Sequence, residues 1–249
     1  MPRFPRSIVI FTSLLPALAS AAQMRIFVAG AAKASVEALL PGFKQASADT
    51  VVVSYDTAGA LRDRVLKGEA PDLVILTDVA IDVLSARGLI REGDRREVGV
   101  VVAGLAVRQG TPLPDITTAD ALRSTLLAAA TIAYPDTVHG ATSGAQFVKA
   151  IDGLGIHAQI ASKTTVLPTG VDVIDGVVAG KFEIGVSQSS EILPVAGVRF
   201  VGGLPAPFAL RTPYAMAVVG GSDSGRQLMK YLDTVAAHAQ FESGGLSAR

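Results

Sequence analysis

Apolar and polar positions along this chain alternate between two periods. Met24–Ala29 is an unbroken apolar run of strand character, and Ser35–Ala46 follows with helical spacing at Val36, Leu39, Leu40 and Phe43. The β-branched run Val51–Tyr55 leads into a helical pattern over Ala58–Lys67. Leu73–Leu76 leads into Val79–Arg87, which stops at Gly88, a natural helix terminator. Strands alternating with helices in this order predict an α/β fold, with a mixed sheet covered on both faces.

Beyond residue 90 the rhythm loosens. Val98–Val107 is a long strand that carries the chain out of a first lobe, and Thr111–Thr118 is a Pro-containing connection to a helix at Ala119–Ala129. Further expected elements are a strand at Thr131–Tyr134, helices at Ala145–Leu154 and Val171–Ala179, and a short strand at Ile184–Ser187. Phe200–Arg211 reads as an irregular return connection. Tyr214–Val219 reads as a strand, and Ser222–Phe241 as one C-terminal helix. The expected division is 1–22 as a signal peptide, 23–101 with 205–249 as lobe 1, and 102–204 as lobe 2.

Composition narrows the setting. Arg3 and Arg6 precede the apolar stretch Ser7–Ala19, and Ala19-Ser20-Ala21 supplies small residues for cleavage near Ala21/Ala22. Those 13 apolar-region residues fall short of the roughly 20 that span a bilayer, so export to the periplasm is favoured over a retained anchor. Without the signal, 20 basic residues stand against 22 acidic ones, a balance that gives no support to a nucleic-acid or anionic-membrane partner. The chain has no cysteine and only three histidines, which removes thiol chemistry and argues against a metal centre. No metal and no cofactor are expected, and the protein is expected to act as a monomer.

The candidate chemistry lies in the turns after strands. A strand, a turn of small residues and a helix start leave backbone N–H donors unpaired at the positive end of a helix dipole, which makes an anion site. The chain repeats this at Gly30-Ala31-Ala32-Lys33, at Asp56-Thr57-Ala58-Gly59 and at His139–Gly144. Lys33 opposes the dipole of its own helix and reads either as a cation for a bound carboxylate or as a solvated surface lysine. Asp56 reads chiefly as a turn former, and Thr57 as a helix cap or a ligand contact. Arg62, one turn into its helix, either leans back toward an anion or pairs with Asp63 or Glu69. His139 sits in a polar loop where it could move a proton, or simply be exposed. Ser143-Gly144 at a helix start and Gln188 at a strand end complete the set.

Phe27–Ala32, Tyr55–Leu61, Gly68–Ile75, Ala133–Asp136, Ser143-Gly144, Gly185-Val186 and Tyr214–Val219 come in an order that resembles the type II periplasmic solute-binding proteins. The molybdate-binding branch of ABC importers is the nearest match, and the resemblance covers nearly all of the chain after the signal. It implies two lobes, each a mixed sheet flanked by helices, a ligand cleft between them, and a permease partner in the inner membrane. It also implies ligand contacts at Ala31, Ala58, Gln188 and near Ser143, to which the turns themselves add Ala32, Lys33, Thr57, Gly59, Arg62 and Gly144 as candidates. Two serines and a tyrosine that donate to the oxyanion in that branch fall here at Ala31, Ala58 and Gln188, so all three hydroxyls are missing. Each lost donor to a buried charged oxygen costs about 1.5–3 kcal/mol. This tilts the expected ligand from molybdate toward a small organic carboxylate.

Two functions remain open on these residues. One is an exported binding protein that captures a small anion for an ABC importer. The other is an isomerase on the same scaffold, since the resemblance extends to an exported enzyme that interconverts cis- and trans-aconitate; His139 and Lys33 would then be the proton-transfer candidates. A serine hydrolase is disfavoured because the chain has no Gly-x-Ser-x-Gly sequence.

Overall fold

The computed structural model describes residues 23–47 and 50–248. The signal-peptide expectation lies outside the described residues. From the first described residue the chain runs β1 (Gln23–Ala29), a 3-10 turn (Gly30–Ala32), α1 (Lys33–Ser47), β2 (Thr50–Asp56), α2 (Ala58–Leu66), β3 (Leu73–Thr77) and α3 (Asp78–Ala86). Then come β4 (Ile90–Arg108), α4 (Ala119–Ala128), β5 (Ile132–Pro135), α5 (Thr142–Gly153), α6 (His157–Ile160), β6 (Thr164–Leu167), α7 (Gly170–Val178), β7 (Ile184–Gln188) and α8 (Ser189–Ile192). The chain closes with β8 (Val198–Gly203), β9 (Arg211–Val219), α9 (Asp223–Leu232) and α10 (Val235–Ser243).

The strands form one mixed sheet in the order β2-β1-β3-β9-β4-β7-β5-β6, with β8 pairing on β4. β1 lies parallel to β2 and β3, and β5 lies parallel to β6 and β7. β4 ties the two parallel sets together: Ile90–Val102 pairs antiparallel with β9, and Ala103–Ala106 with β7. This is the α/β architecture of a type II periplasmic binding protein.

Apolar burial follows the same division. One core cluster draws on β1, β3, β9, α1–α3, α9 and α10, with Val98 and Val101 of β4. Two others draw on β5, β7, α4–α8 and the far end of β4 from Ala103 to Val107. Local patterning explains most of this. Val36, Leu40 and Phe43 are buried on one face of α1, and all five residues of β3 are buried on both faces of the sheet.

The differences from the expected elements have physical causes. β4 begins eight residues before the apolar run, because pairing with β9 extends it through the charged segment Arg91–Glu97. The single C-terminal helix is two: Asp233 ends α9, and the Thr234 hydroxyl accepts from Ala237 N–H to cap α10. β8 lies inside the segment taken as irregular, held by antiparallel pairing to β4. α6 and β6 are short elements whose hydrophobic periods are too brief to read.

Candidate functional site

Strand ends at a topological switch point are where open α/β sheets bind ligands, and here the carboxyl ends of β1, β2, β6 and β7, with the loop after β5, face one cavity. Its volume is about 230 Å3. From the β1–β3 side it is lined by Ala29, Gly30, Ala31, Lys33, Tyr55, Asp56, Thr57, Ala58 and Tyr214. The β5–β7 side contributes Ala141–Ser143, Thr169–Asp172, Gln188 and Glu191.

Five helices among the described residues start at this cavity. The short α8 has Gln188 at its N-cap and Glu191 in its capping box. The others, α1, α2, α5 and α7, differ in how their first N–H groups are satisfied. α2 is capped by the Thr57 hydroxyl, which accepts from Ala60 N–H at 3.1 Å. α7 carries a full capping box, in which Thr169 accepts from Asp172 N–H and Asp172 accepts from Thr169 N–H. The turn leading into α1 has Ala29 at its cap position and α5 has Ala141, so neither start has a side-chain cap and neither has an acidic residue in its first turn. The cavity therefore meets two helix starts without a side-chain cap, one from each parallel set, the kind of helix end that suits an anion.

The side chains add one cation and several hydroxyls. Lys33 is the only basic residue lining this cavity among the described residues, and its Nζ lies 5.4 Å from the Tyr55 ring centroid. Burial raises the Tyr55 hydroxyl above its ordinary range, reinforced by the nearby Glu37 carboxylate. Gln188 Nε2 donates to Thr142 Oγ1 at 2.6 Å, and the buried Tyr214 hydroxyl bonds to the same threonine. Glu191 faces the cavity without a basic partner among the described residues; its Oε2 accepts from Ser187 Oγ and from Gln188 N–H. Burial lifts this carboxyl above the ordinary carboxylate range, against the lowering pull of those two donors.

The two sides of the cleft touch at its rim. Thr57 Oγ1 donates to the His139 carbonyl oxygen, and Gly59 meets Gly140 backbone to backbone. A Cβ on Gly59 would stand 2.7 Å from Gly140 Cα, so glycine is needed for that approach.

The chain belongs to the bacterial extracellular solute-binding protein family. The sequence profile of that family matches residues 24–247. Among known relatives, an aconitate isomerase of a Pseudomonas species is 27% identical over 259 aligned residues, covering 98% of this chain and 97% of that protein. The periplasmic molybdate-binding protein of Azotobacter vinelandii superimposes with a TM-score of 0.75 at 15% identity, over 91% of this chain and 99% of that one. The sulfate-binding protein SubI of Mycobacterium tuberculosis H37Rv superimposes with a TM-score of 0.67 at 18% identity, over 90% and 85% of the two chains. At these identities the two solved structures establish the shared fold.

Within this solute-binding scaffold the sequence candidates separate. Ala31, Lys33, Thr57, Ala58, Ser143 and Gln188 all line the cavity. Ala32 is fully buried in the core of the β1–β3 side. Gly144 packs on β5, where an added Cβ would come within 1.9 Å of the Pro135 carbonyl oxygen. Gly59 and Arg62 line a neighbouring depression with Arg211 and Thr212, and Arg62 is paired with Asp63 at 2.6 Å. The His139 ring turns outward to Asp136, with Nδ1 2.6 Å from Oδ2, and does not line the cavity. Sequence reading missed Tyr214, Thr142, the Thr169–Asp172 turn and Glu191. Thr169-x-x-Asp172 carried a legible capping signal; Glu191 carried none beyond its place three residues after Gln188.

Proposed function

We propose that the protein is an exported, monomeric solute-binding protein that captures a small organic carboxylate between two lobes and presents it to an ABC permease. Lobe 1 comprises 23–101 and 205–249 and lobe 2 comprises 102–204, a division supported by the separate core clusters on either side of Val101 and Ala103. The observation that carries the reading is the pair of helix starts without side-chain caps, at Gly30-Ala31 and Thr142-Ser143, on opposite walls of the cavity beside Lys33. Backbone donors of this kind suit a carboxylate. The resemblance to molybdate binders implies side-chain hydroxyls at positions 31, 58 and 188, and this chain has Ala31, Ala58 and Gln188 there. The cavity's 230 Å3 matches the room of about seven or eight waters at ~30 Å3 each, ample for a multi-carbon acid.

A second reading, an isomerase of a small tricarboxylate, is favoured by the 27% identity to an aconitate isomerase along nearly the whole chain. Such a reaction takes a proton from the methylene carbon, moves the double bond through the allylic anion and returns a proton at the other end. Of the two proton-transfer candidates, Lys33 lines the cavity and His139 does not.

The test is a thermal-shift screen with cis- and trans-aconitate, citrate, succinate, molybdate, tungstate and sulfate. A ligand at 100 times its dissociation constant adds about 2.7 kcal/mol, and each kcal/mol moves the melting temperature of a protein this size by about 2–4 °C. A shift with a carboxylate supports the reading; shifts confined to molybdate and tungstate overturn it. Conversion of cis- to trans-aconitate by the same sample, followed by proton NMR, would establish the isomerase.

A further inference from the structure

Glu191 is the least expected group in a cavity built for an anion. Its carboxyl is wedged between the helix starts of the two sides: a Cβ on Gly30 would fall 2.3 Å from Oε1, and one on Gly170 would fall 2.1 Å from Oε2. With Gly30, Lys33 and Val171 it also lines a second cavity of about 260 Å3, to which Glu37, Asp175 and Ser190 contribute. Both of its hydrogen-bond donors, Ser187 Oγ and Gln188 N–H, serve Oε2, which leaves Oε1 directed at Gly30. No ion pair reaches Glu191 among the described residues.

The charges around it can be placed element by element. α1 contributes Lys33 and Glu37, α7 contributes Asp172 and Asp175, β2 contributes Tyr55 and Asp56, and β9 contributes Tyr214. β4, β7 and β8 put no charged side chain into either cavity among the described residues. In the main cavity three carboxylates face one lysine, a formal balance of −2. The starts of α1, α2, α5 and α7, each worth roughly half a positive charge, with a smaller share from the one-turn α8, bring that close to zero. A bound carboxylate would add a negative charge beside Glu191, and two carboxylates sharing one site do not both stay ionised.

We propose that Glu191 is ionised in the empty cavity, held there by Ser187 Oγ and Gln188 N–H, and becomes the neutral acid when a ligand binds. It then donates its proton toward the bound carboxylate, so that capture of each ligand takes up one proton. This rests on the carboxylate reading of the cavity and adds to it a selectivity rule. The site prefers an anion able to share a proton with a carboxyl group, and affinity falls as pH rises. Two features of the structure prepare the group for this role. Its enclosure disfavours the charged form, and its only donors are one hydroxyl and one backbone amide.

The experiment is isothermal calorimetry of the purified protein with trans-aconitate and with succinate, from pH 7 to 8.5, in pairs of buffers of different ionisation enthalpy. The expected result is an uptake close to one proton per ligand and an affinity that drops nearly tenfold per pH unit. Glu191→Gln, which keeps the shape and cannot ionise, should bind with uptake near zero and little pH dependence. Ser187→Ala removes a donor to the ionised form and should carry the wild-type drop to higher pH. Uptake near zero in the wild type, or unchanged uptake in Glu191→Gln, overturns the proposal while leaving the carboxylate reading intact. If no organic carboxylate binds either protein, the carboxylate reading has failed and the proton-sharing role falls with it.

Discussion

Replacing Gly59 by alanine sets a methyl group against the opposite side of the cleft. The added Cβ would stand 2.7 Å from Gly140 Cα and 3.2 Å from the Gly140 carbonyl oxygen. Carbon atoms rest at about 3.5–4.0 Å, so the two sides must separate by about 1 Å at this rim. Neither partner has a side chain that can swing away, so backbone must move. Overpacking of this kind costs about 1–3 kcal/mol, and at 1.4 kcal/mol per decade the expected loss of ligand affinity is roughly 5- to 150-fold. Gly59 is the second residue of α2, where alanine suits the helix better, so if the unliganded protein opens at this rim its melting temperature should stay level or rise slightly. Calorimetry with the strongest carboxylate from the thermal-shift panel reads the affinity, and small-angle scattering reads the separation. A Gly59→Ala protein with wild-type affinity would show that the Gly59–Gly140 contact is no part of the bound form. Gly140→Ala is a poorer probe, because its φ of 75° strains any side chain whatever the space.

Lys33→Gln removes the only basic side chain lining the cavity among the described residues. A charge-assisted hydrogen bond worth about 1.5–3 kcal/mol predicts a roughly 10- to 150-fold weaker carboxylate; unchanged affinity by calorimetry would remove Lys33 from the site. A separate prediction concerns stability. Asp94 accepts two bonds of 2.9 Å from the Arg226 guanidinium, which holds its carboxyl below the ordinary 3.8. Its stabilising contribution is complete above the unfolded value and is lost as pH falls through the lower folded one. Asp94→Asn should therefore melt about 2–4 °C below wild type at pH 7, and the gap should narrow as pH falls below the unfolded carboxylate value. A gap of constant size across that range would refute the ion-pair explanation.

The segments legible in the sequence are those whose own hydrophobic period sets their structure. β1, β2, β3 and the helices after them fall where the pattern places them, because each buries one face or both faces of a locally defined element. β4 was legible only in its apolar half. The charged half from Arg91 to Glu97 is a strand because β9 pairs with it, and no local signal announces a partner more than a hundred residues away. The same holds for β8, whose strand character comes from β4.

The candidate site divides along the same line. Its backbone component was visible in the sequence, since small residues between a strand and a helix leave donors open wherever they occur. This placed Ala31, Ala58, Ser143 and Lys33 at the cavity. Side-chain direction was not visible. His139 and Arg62 are adjacent to the right turns, yet local carboxylates at Asp136 and Asp63 hold them elsewhere.

The amino-acid sequence by itself determined the alternation of strands and helices, the family, and the positions where helix starts lie open, all of which follow from local chemistry. Only the tertiary structure decided which of those openings share a cavity. It also decided that Gly59 and Gly140 must lack side chains to meet, and that Glu191 stands between Gly30 and Gly170 with no ion pair among the described residues. Those facts depend on approaches between segments far apart in the chain, which packing sets and periodicity does not encode.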